Sequence, residues 1–236
     1  MQRFHPHSEE WGRFVDVETI AAEVLAGQLQ RLRPGCVFTC SACDGWQQVE
    51  LHFQLTRKCC RLLLDAGFSL TIPTRSELVL RDLDLFLGRD ASLGVTITTA
   101  DPVTARLWEP GASSVPARVN ILEQAKAAAL GTTVMFGPLL PGISDGPDGL
   151  RSLFALVADA DVDRIWTDAL NPRPCVWPSM QALLRRHRPD LLRHCRSVLF
   201  DPACRARYND ELQRRIAQAA AESGLAGRIA DTSSLE

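Results

Sequence analysis

The sequence predicts an α/β fold with parallel strands, either an open partial (β/α) TIM-type barrel or a doubly wound sheet, followed by a helical C-terminal extension. Three observations predict it. Short β-branched or apolar stretches alternate with helix-period segments from Cys36 to Ala169, the pattern of parallel strands joined by right-handed crossovers. About five such strands can be counted, too few to close an eight-stranded barrel. After Asn171-Pro172-Arg173-Pro174 the sequence becomes helical and Arg-rich and ends in the polar tail DTSSLE. Residues 1–171 are therefore expected to form the partial barrel, and 172–236 a helical extension packed on it.

From Val17 to Arg33, apolar Ile20, Val24, Leu25 and Leu29 recur at three- and four-residue intervals, and Pro34-Gly35 stops the helix. Cys36 to Cys40 is a short apolar run bounded by that Pro-Gly and reads as a buried strand. Leu55 to Ala66 is helical and ends at Gly67; Phe68 to Thr74 is a strand. Glu77 to Leu87 is expected to be helical, with Leu78, Leu80, Leu83 and Leu87 inward and with Asp82 and Asp84 capping or facing solvent. Gly94 to Thr99 is rich in β-branched residues and reads as a strand. A short helix over Asp101 to Glu109, the Pro110-Gly111 loop and a longer helix over Pro116 to Leu130 follow. Thr132 to Leu139 is a strand, Gly149 to Ala158 a helix and Arg164 to Ala169 the last strand.

Composition excludes several classes. With 46% hydrophobic and 23% charged residues the chain is neither disordered nor fibrous. No apolar run is long enough to cross a bilayer, and MQRFHPHSEEWGRF lacks the basic and apolar regions of a signal peptide, so a cytoplasmic protein is expected. A net charge of −2 gives no general case for nucleic-acid binding; the Arg-rich run Arg185 to Arg196 reads first as the solvated face of a helix and second as a phosphate-contacting patch for nucleic acid. His52, His187 and His194 have no metal-like spacing.

Eight cysteines without a secretory signal point to thiols or metal ligation. Cys59 and Cys60 lie in a helical pattern as flank and core, and Cys175, Cys195 and Cys204 are widely spaced. Only Cys36, Cys40 and Cys43 cluster, in GCVFTCSACD. Three thiolates at that spacing can ligate three irons of a cubane cluster and leave the fourth open. On a strand, however, Cys36 and Cys40 would share one face and Cys43 the other, a geometry that suits ordinary strand residues. A zinc module would need a fourth close ligand.

GCVFTCSACD resembles the cluster signature of the radical-SAM superfamily, with Ala42 where an aromatic residue is usual. The stretches WGRFVDVE (11–18), LTRKCCRLLLDAGF (55–68), TRSELVLRDLDL (74–85), ITTADPVTARLWEPGA (97–112), PLLPGISD (138–145) and DALNPRPCVWPSM (168–180) resemble its spore photoproduct lyase-like branch, in the same order. The resemblance implies a partial barrel holding a [4Fe-4S] cluster and S-adenosylmethionine (SAM). SAM would be cleaved reductively, with an external electron donor, to abstract hydrogen from an unknown substrate. It also implies that the cluster loop should precede WGRFVDV, whereas CVFTCSACDGWQQVE falls where the family has its second strand. Two readings follow: Cys36, Cys40 and Cys43 are the ligands, or they are strand residues of a truncated, non-catalytic domain. A reading frame extending upstream through a Gly-Cys-x3-Cys-x2-Cys segment would decide for a longer enzyme.

For SAM, the resemblance places Asp44 near the amino group, Arg75 on the carboxylate, and Thr96 and Thr98 as hydroxyl donors to carboxylate or ribose. The plainer readings are a surface charge for Arg75 and strand filler for the threonines. Trp46 is expected to pack in the core or to stack on an adenine.

Overall fold

A computed structural model describes residues 14–40, 43–171 and 176–230. The N-terminal stretch before Phe14, Cys175, the Pro172–Pro174 break and the DTSSLE tail, each singled out above, lie outside those residues. The elements run α1 (Ala21–Leu29), β1 (Cys36–Phe38), α2 (Glu50–Phe53), α3 (Leu55–Asp65), β2 (Ser69–Thr74), a 3-10 helix (Glu77–Leu85) and β3 (Ala91–Ile97). They continue with α4 (Pro102–Trp108), α5 (Val115–Ala127), β4 (Gly131–Leu139), α6 (Pro147–Ala158) and β5 (Arg164–Ala169). Helices α7 (Trp177–His187), α8 (Leu192–Phe200) and α9 (Pro202–Glu222) follow.

All five strands are parallel and neighbour one another in chain order, β1-β2-β3-β4-β5. They form the curled half of a barrel, as the alternation predicts. Period-two alternation divides the sheet into two faces. Leu70, Ile72, Leu93, Val95, Ile97, Val134, Phe136 and Ile165 are all buried, under a cover of helices. The opposite, concave face carries smaller and more polar residues, Thr71, Pro73, Ser92, Gly94 and Thr133 among them, and opens a trough of about 880 Å³.

Helix starts follow local chemistry. Asp101 accepts from Thr104 N at 2.9 Å ahead of Pro102, and Asp201 accepts from Ala203 N and Cys204 N ahead of Pro202. Each pairs an N-cap acceptor with a proline whose missing N–H costs nothing there. In α5 the inward positions Val115, Arg118, Ile121, Leu122 and Ala125 trace one helical stripe, and one member of it is an arginine. The C-terminal helices build a second cluster from Met180, Leu184, Cys195 and Leu199 against Leu140 and Leu170, while Tyr208, Leu212 and Ile216 of α9 join the main core.

One element departs from expectation. The segment after β2 is a 3-10 helix, whose three-residue turn presents a different face from an α-helix. Val79, Asp82 and Phe86 are buried, whereas Leu87 is exposed. Asp82 thus faces the interior rather than solvent. No helix of the described residues is long and apolar enough to cross a membrane.

Candidate functional site

In parallel α/β folds the loops after the strands carry the chemistry. Here the C-terminal ends of β2, β3 and β4 enclose a cavity of about 370 Å³ lined by Arg75, Thr98, Trp108, Glu109, Gly111, Ala112, Pro138 and Leu140. A second cavity, of about 600 Å³, adjoins it and shares Arg75, Gly111 and Ala112; Asp44, Gln47, Ser76 and Arg106 also line it. Arg75 stands between the two.

The charged centre is a carboxylate shared by two guanidiniums. Glu109 accepts from Arg75 Nε through Oε1 at 2.8 Å and from Arg118 Nη1 through Oε2 at 2.8 Å. Arg118 is 1% exposed and also donates to the backbone oxygens of Thr96 (2.7 Å) and Ser113 (2.8 Å). A buried arginine is tolerated only when paired and hydrogen-bonded in this way. Arg75 remains half-exposed, and among the described residues its Nη1 and Nη2 groups have no partner.

Asp44 binds the chain to itself. Its carboxylate accepts from the Thr74 hydroxyl (2.8 Å), Arg75 N (2.7 Å) and Trp46 N (2.9 Å), which ties the loop after β1 to the end of β2. Thr98 donates to Gly137 O at 3.1 Å, and Thr96 lies on the same face of β3. Trp46 is a core residue, 1% exposed, and its Nε1 donates to Asp82 Oδ2 at 2.9 Å. Arg81 and Arg57 complete the cage around Asp82. Burial alone would raise the Asp82 pKa, but the hydrogen bonds from Arg81, Trp46 and Arg57 outweigh it and hold the carboxyl below the usual range.

The structure brings Arg75 and Thr98 to one cavity and Asp44 and Arg75 to the next. It does not gather the three cysteines. Cys36 lies on β1 with its Sγ 3.8 Å from the Thr71 hydroxyl, on the concave trough. Cys40, just past the strand, has a left-handed φ of 60° and accepts from Gly45 N at 3.3 Å; burial pushes its thiol pKa up. Cys43 is exposed. Among the described residues no three His, Cys, Asp or Glu side chains are grouped so as to hold a metal ion. The thiols of Cys36, Cys40 and Cys43 therefore do not fit an iron–sulfur cluster as arranged: one faces the trough, one is tied to a backbone amide and one points to solvent. The rim cavity sets the Arg75 guanidinium, the Thr98 side chain, the Trp108 indole and the apolar side chains of Pro138 and Leu140 side by side.

Glu109 and Arg118 were not legible as site residues from motif spacing. The available signal was Arg118 itself, an arginine on the apolar stripe of a helix, which demands a buried acid nearby.

No protein-family model matches the chain. A protein of Mycobacterium tuberculosis is 28% identical over 220 residues, covering 90% of this chain and 65% of that protein. A protein of Acidianus two-tailed virus is 31% identical over 137 residues, covering 56% of this chain and 46% of its own length. The chain thus spans 65% of the length of its mycobacterial relative. Among solved structures, a variant of spore photoproduct lyase superposes with a TM-score of 0.63 at 14% identity, over 88% of this chain and 65% of that one. The same enzyme complexed with dinucleoside spore photoproduct gives 0.54 at 15% identity, over 71% and 51%. A domain of a pyruvate-formate lyase-activating enzyme from Bacteroides vulgatus gives 0.52 at 12%, over 83% and 98%. Together with the five parallel strands, these likenesses show that the chain has the partial-barrel α/β fold of spore photoproduct lyase and of the activating-enzyme domain.

Proposed function

We propose that this chain binds SAM in the rim cavity between β2, β3 and β4, as the SAM- and substrate-binding part of a radical-SAM-type protein. The supporting observation is Arg75: it lines the cavity, its guanidinium is anchored through Nε, and its Nη groups have no partner among the described residues. A planar guanidinium fork suits a carboxylate. In this reading Arg75 takes the SAM carboxylate, Thr98 lies beside it just past β3 with Thr96 two residues earlier, and Asp44, in the adjoining cavity, holds the Arg75 backbone in place on the side of the amino group. Trp108, Pro138 and Leu140 offer apolar surface to the nucleoside.

Bound SAM supplies the sulfonium whose reductive cleavage is the chemistry associated with this fold. That cleavage needs a [4Fe-4S] cluster and an electron donor, and Cys36, Cys40 and Cys43 do not offer three converging thiolates. No step is therefore assigned to a cluster on these residues. The same cysteine arrangement favours a second reading, a radical-SAM-like domain that binds its ligand without catalysis.

Calorimetric titration of SAM into the purified chain tests the proposal. Saturable one-site binding that is weakened by Arg75→Ala is expected; no binding to well-folded protein overturns it.

A further inference from the structure

Glu109 has no motif to recommend it, yet its position between two arginines is not that of an ordinary surface acid. Its two oxygens are divided: Oε2 belongs to the buried Arg118 and Oε1 to the Arg75 Nε. Arg118 is itself fixed by the backbone oxygens of Ser113 and Thr96, one in the loop before α5 and one on β3. Arg75 N is fixed independently by Asp44, and Arg75 O accepts from Ser113 N at 2.9 Å. Arg75 is therefore held at its backbone and at Nε, it lines both cavities, and its terminal nitrogens have no partner among the described residues.

From this geometry we infer that Glu109 is a positioning residue that aims the Arg75 fork at a ligand carboxylate, with Arg118 as its buried anchor. The inference rests on the SAM reading above and specifies how that site would discriminate. A guanidinium free to sweep solvent loses conformational entropy whenever it captures an anion. One already braced at Nε loses less and presents its two Nη groups in a fixed plane. Glu109 does not compete with the ligand, because it engages Nε and leaves the bidentate Nη edge open. Asp44 does not compete either, since its carboxylate accepts from Thr74, Trp46 N and Arg75 N. The selectivity that results is for a ligand bearing a carboxylate over one sharing only its nucleoside.

The experiment compares SAM with 5′-methylthioadenosine, which keeps the adenosine and sulfur but lacks the amino-acid carboxylate. Dissociation constants for both are measured calorimetrically on wild type, Arg75→Lys and Glu109→Gln, each checked by thermal unfolding. Arg75→Lys keeps the charge but removes the braced fork. Both variants are expected to lower SAM affinity roughly tenfold, as for the loss of one charge-assisted hydrogen bond, with 5′-methylthioadenosine unaffected. A purely structural Glu109 would change stability without moving the ratio of the two constants. A folded Glu109→Gln that keeps the wild-type ratio overturns the inference and leaves the SAM reading standing. Retention of the ratio by Arg75→Lys overturns it as well, and that half-exposed position decides the matter if Glu109→Gln does not fold. Wild type that binds neither compound overturns the SAM reading and this inference with it.

Discussion

The Trp46 indole donates a 2.9 Å hydrogen bond to the Asp82 carboxylate, and both residues are buried to within 1% of complete. This contact fastens the loop after β1 to the 3-10 helix after β2. Arg57 of α3 joins them at 3.0 Å, and Arg81 closes the third side of the carboxylate. The arrangement sets the height of the loop that carries Asp44, and so the end of β2 where Arg75 begins.

Asp82→Asn leaves two guanidiniums facing a neutral amide. Breaking one side of a fully buried pair costs about 3–5 kcal/mol. Arg57 and Arg81 are 20% and 26% exposed, so water recovers part of that. A loss of roughly 2–4 kcal/mol in urea unfolding is expected. A change within about 0.5 kcal/mol, the range of ordinary surface substitutions, would show that the cage does not support the fold.

Acid should weaken the protein through the same group. The folded-state pKa of Asp82 is lowered, burial being outweighed by its hydrogen bonds, and that of Asp84 is lowered by its hydrogen bond from Arg57. A carboxyl with a depressed folded pKa contributes stability above its unfolded pKa and loses it as pH falls through the folded value. The melting temperature is therefore expected to be flat near neutrality and to drop below about pH 4, the unfolded carboxylate range. Asp82→Asn should make that drop shallower. An equally steep drop in the variant would assign the acid sensitivity to other groups.

Two glycines predict opposite outcomes from the same substitution. A Cβ on Gly149, in the first turn of α6, would sit 2.9 Å from the backbone oxygen of Ser144, which cannot swing aside. Gly149→Ala should destabilise by roughly 1–3 kcal/mol. Gly27, inside α1, has nothing within 4 Å of its would-be Cβ. Gly27→Ala should leave the protein as stable or raise its stability by up to about 1 kcal/mol, through helix propensity. Chemical denaturation of the two variants side by side checks both signs.

The strand–helix alternation was legible because a parallel strand covered by helices reads as a short apolar run, and β5 falls at Arg164–Ala169 as its residues predict; β1, read as buried, is instead exposed at Cys36 and Phe38. The position of Asp82 was not, because LRDLDL satisfies an α-helical pattern and only the 3-10 geometry turns Asp82 inward. Arg75 and Thr98, which the resemblance singled out, sit just beyond strands and line the rim cavity. Glu109 escaped notice because its role depends on Arg118 nine residues later and on a backbone oxygen of β3. Cysteine spacing along the chain says nothing of where a thiol points once Cys40 adopts φ 60°.

Thiol accessibility should sort the cysteines in native protein. Cys36 and Cys43 are exposed. Cys60 and Cys195 are buried, and desolvation pushes their pKa values up to about 12 and about 11. The thiolate is the reacting species. Brief alkylation near pH 8 followed by peptide mass mapping should label Cys36 and Cys43 first, and Cys60 and Cys195 only on unfolding. Labelling of Cys60 at the rate of Cys43 would show that the α3 side of the core opens readily.

Iron binding is the sharpest test of the three clustered cysteines. A cubane cluster needs three thiolates converging on one small core. Reaching that from the observed arrangement requires Cys36 to leave the Thr71 side of β1 and Cys40 to give up the amide of Gly45. The second change is opposed by packing: a Cβ at Gly45 would already lie 3.0 Å from Cys40 Sγ and 3.0 Å from the Thr56 methyl, so the loop is closely fitted around that sulfur. Anaerobic reconstitution with iron and sulfide is therefore expected to yield the same iron content in wild type and in a Cys36→Ala, Cys40→Ala, Cys43→Ala triple variant. Calorimetric SAM binding in the rim cavity should survive in that variant, because none of the three thiols lines it. About four irons per wild-type chain, with an EPR signal altered by SAM and lost in the triple variant, would instead mean that the loop after β1 rebuilds around a cluster and that these cysteines are its ligands.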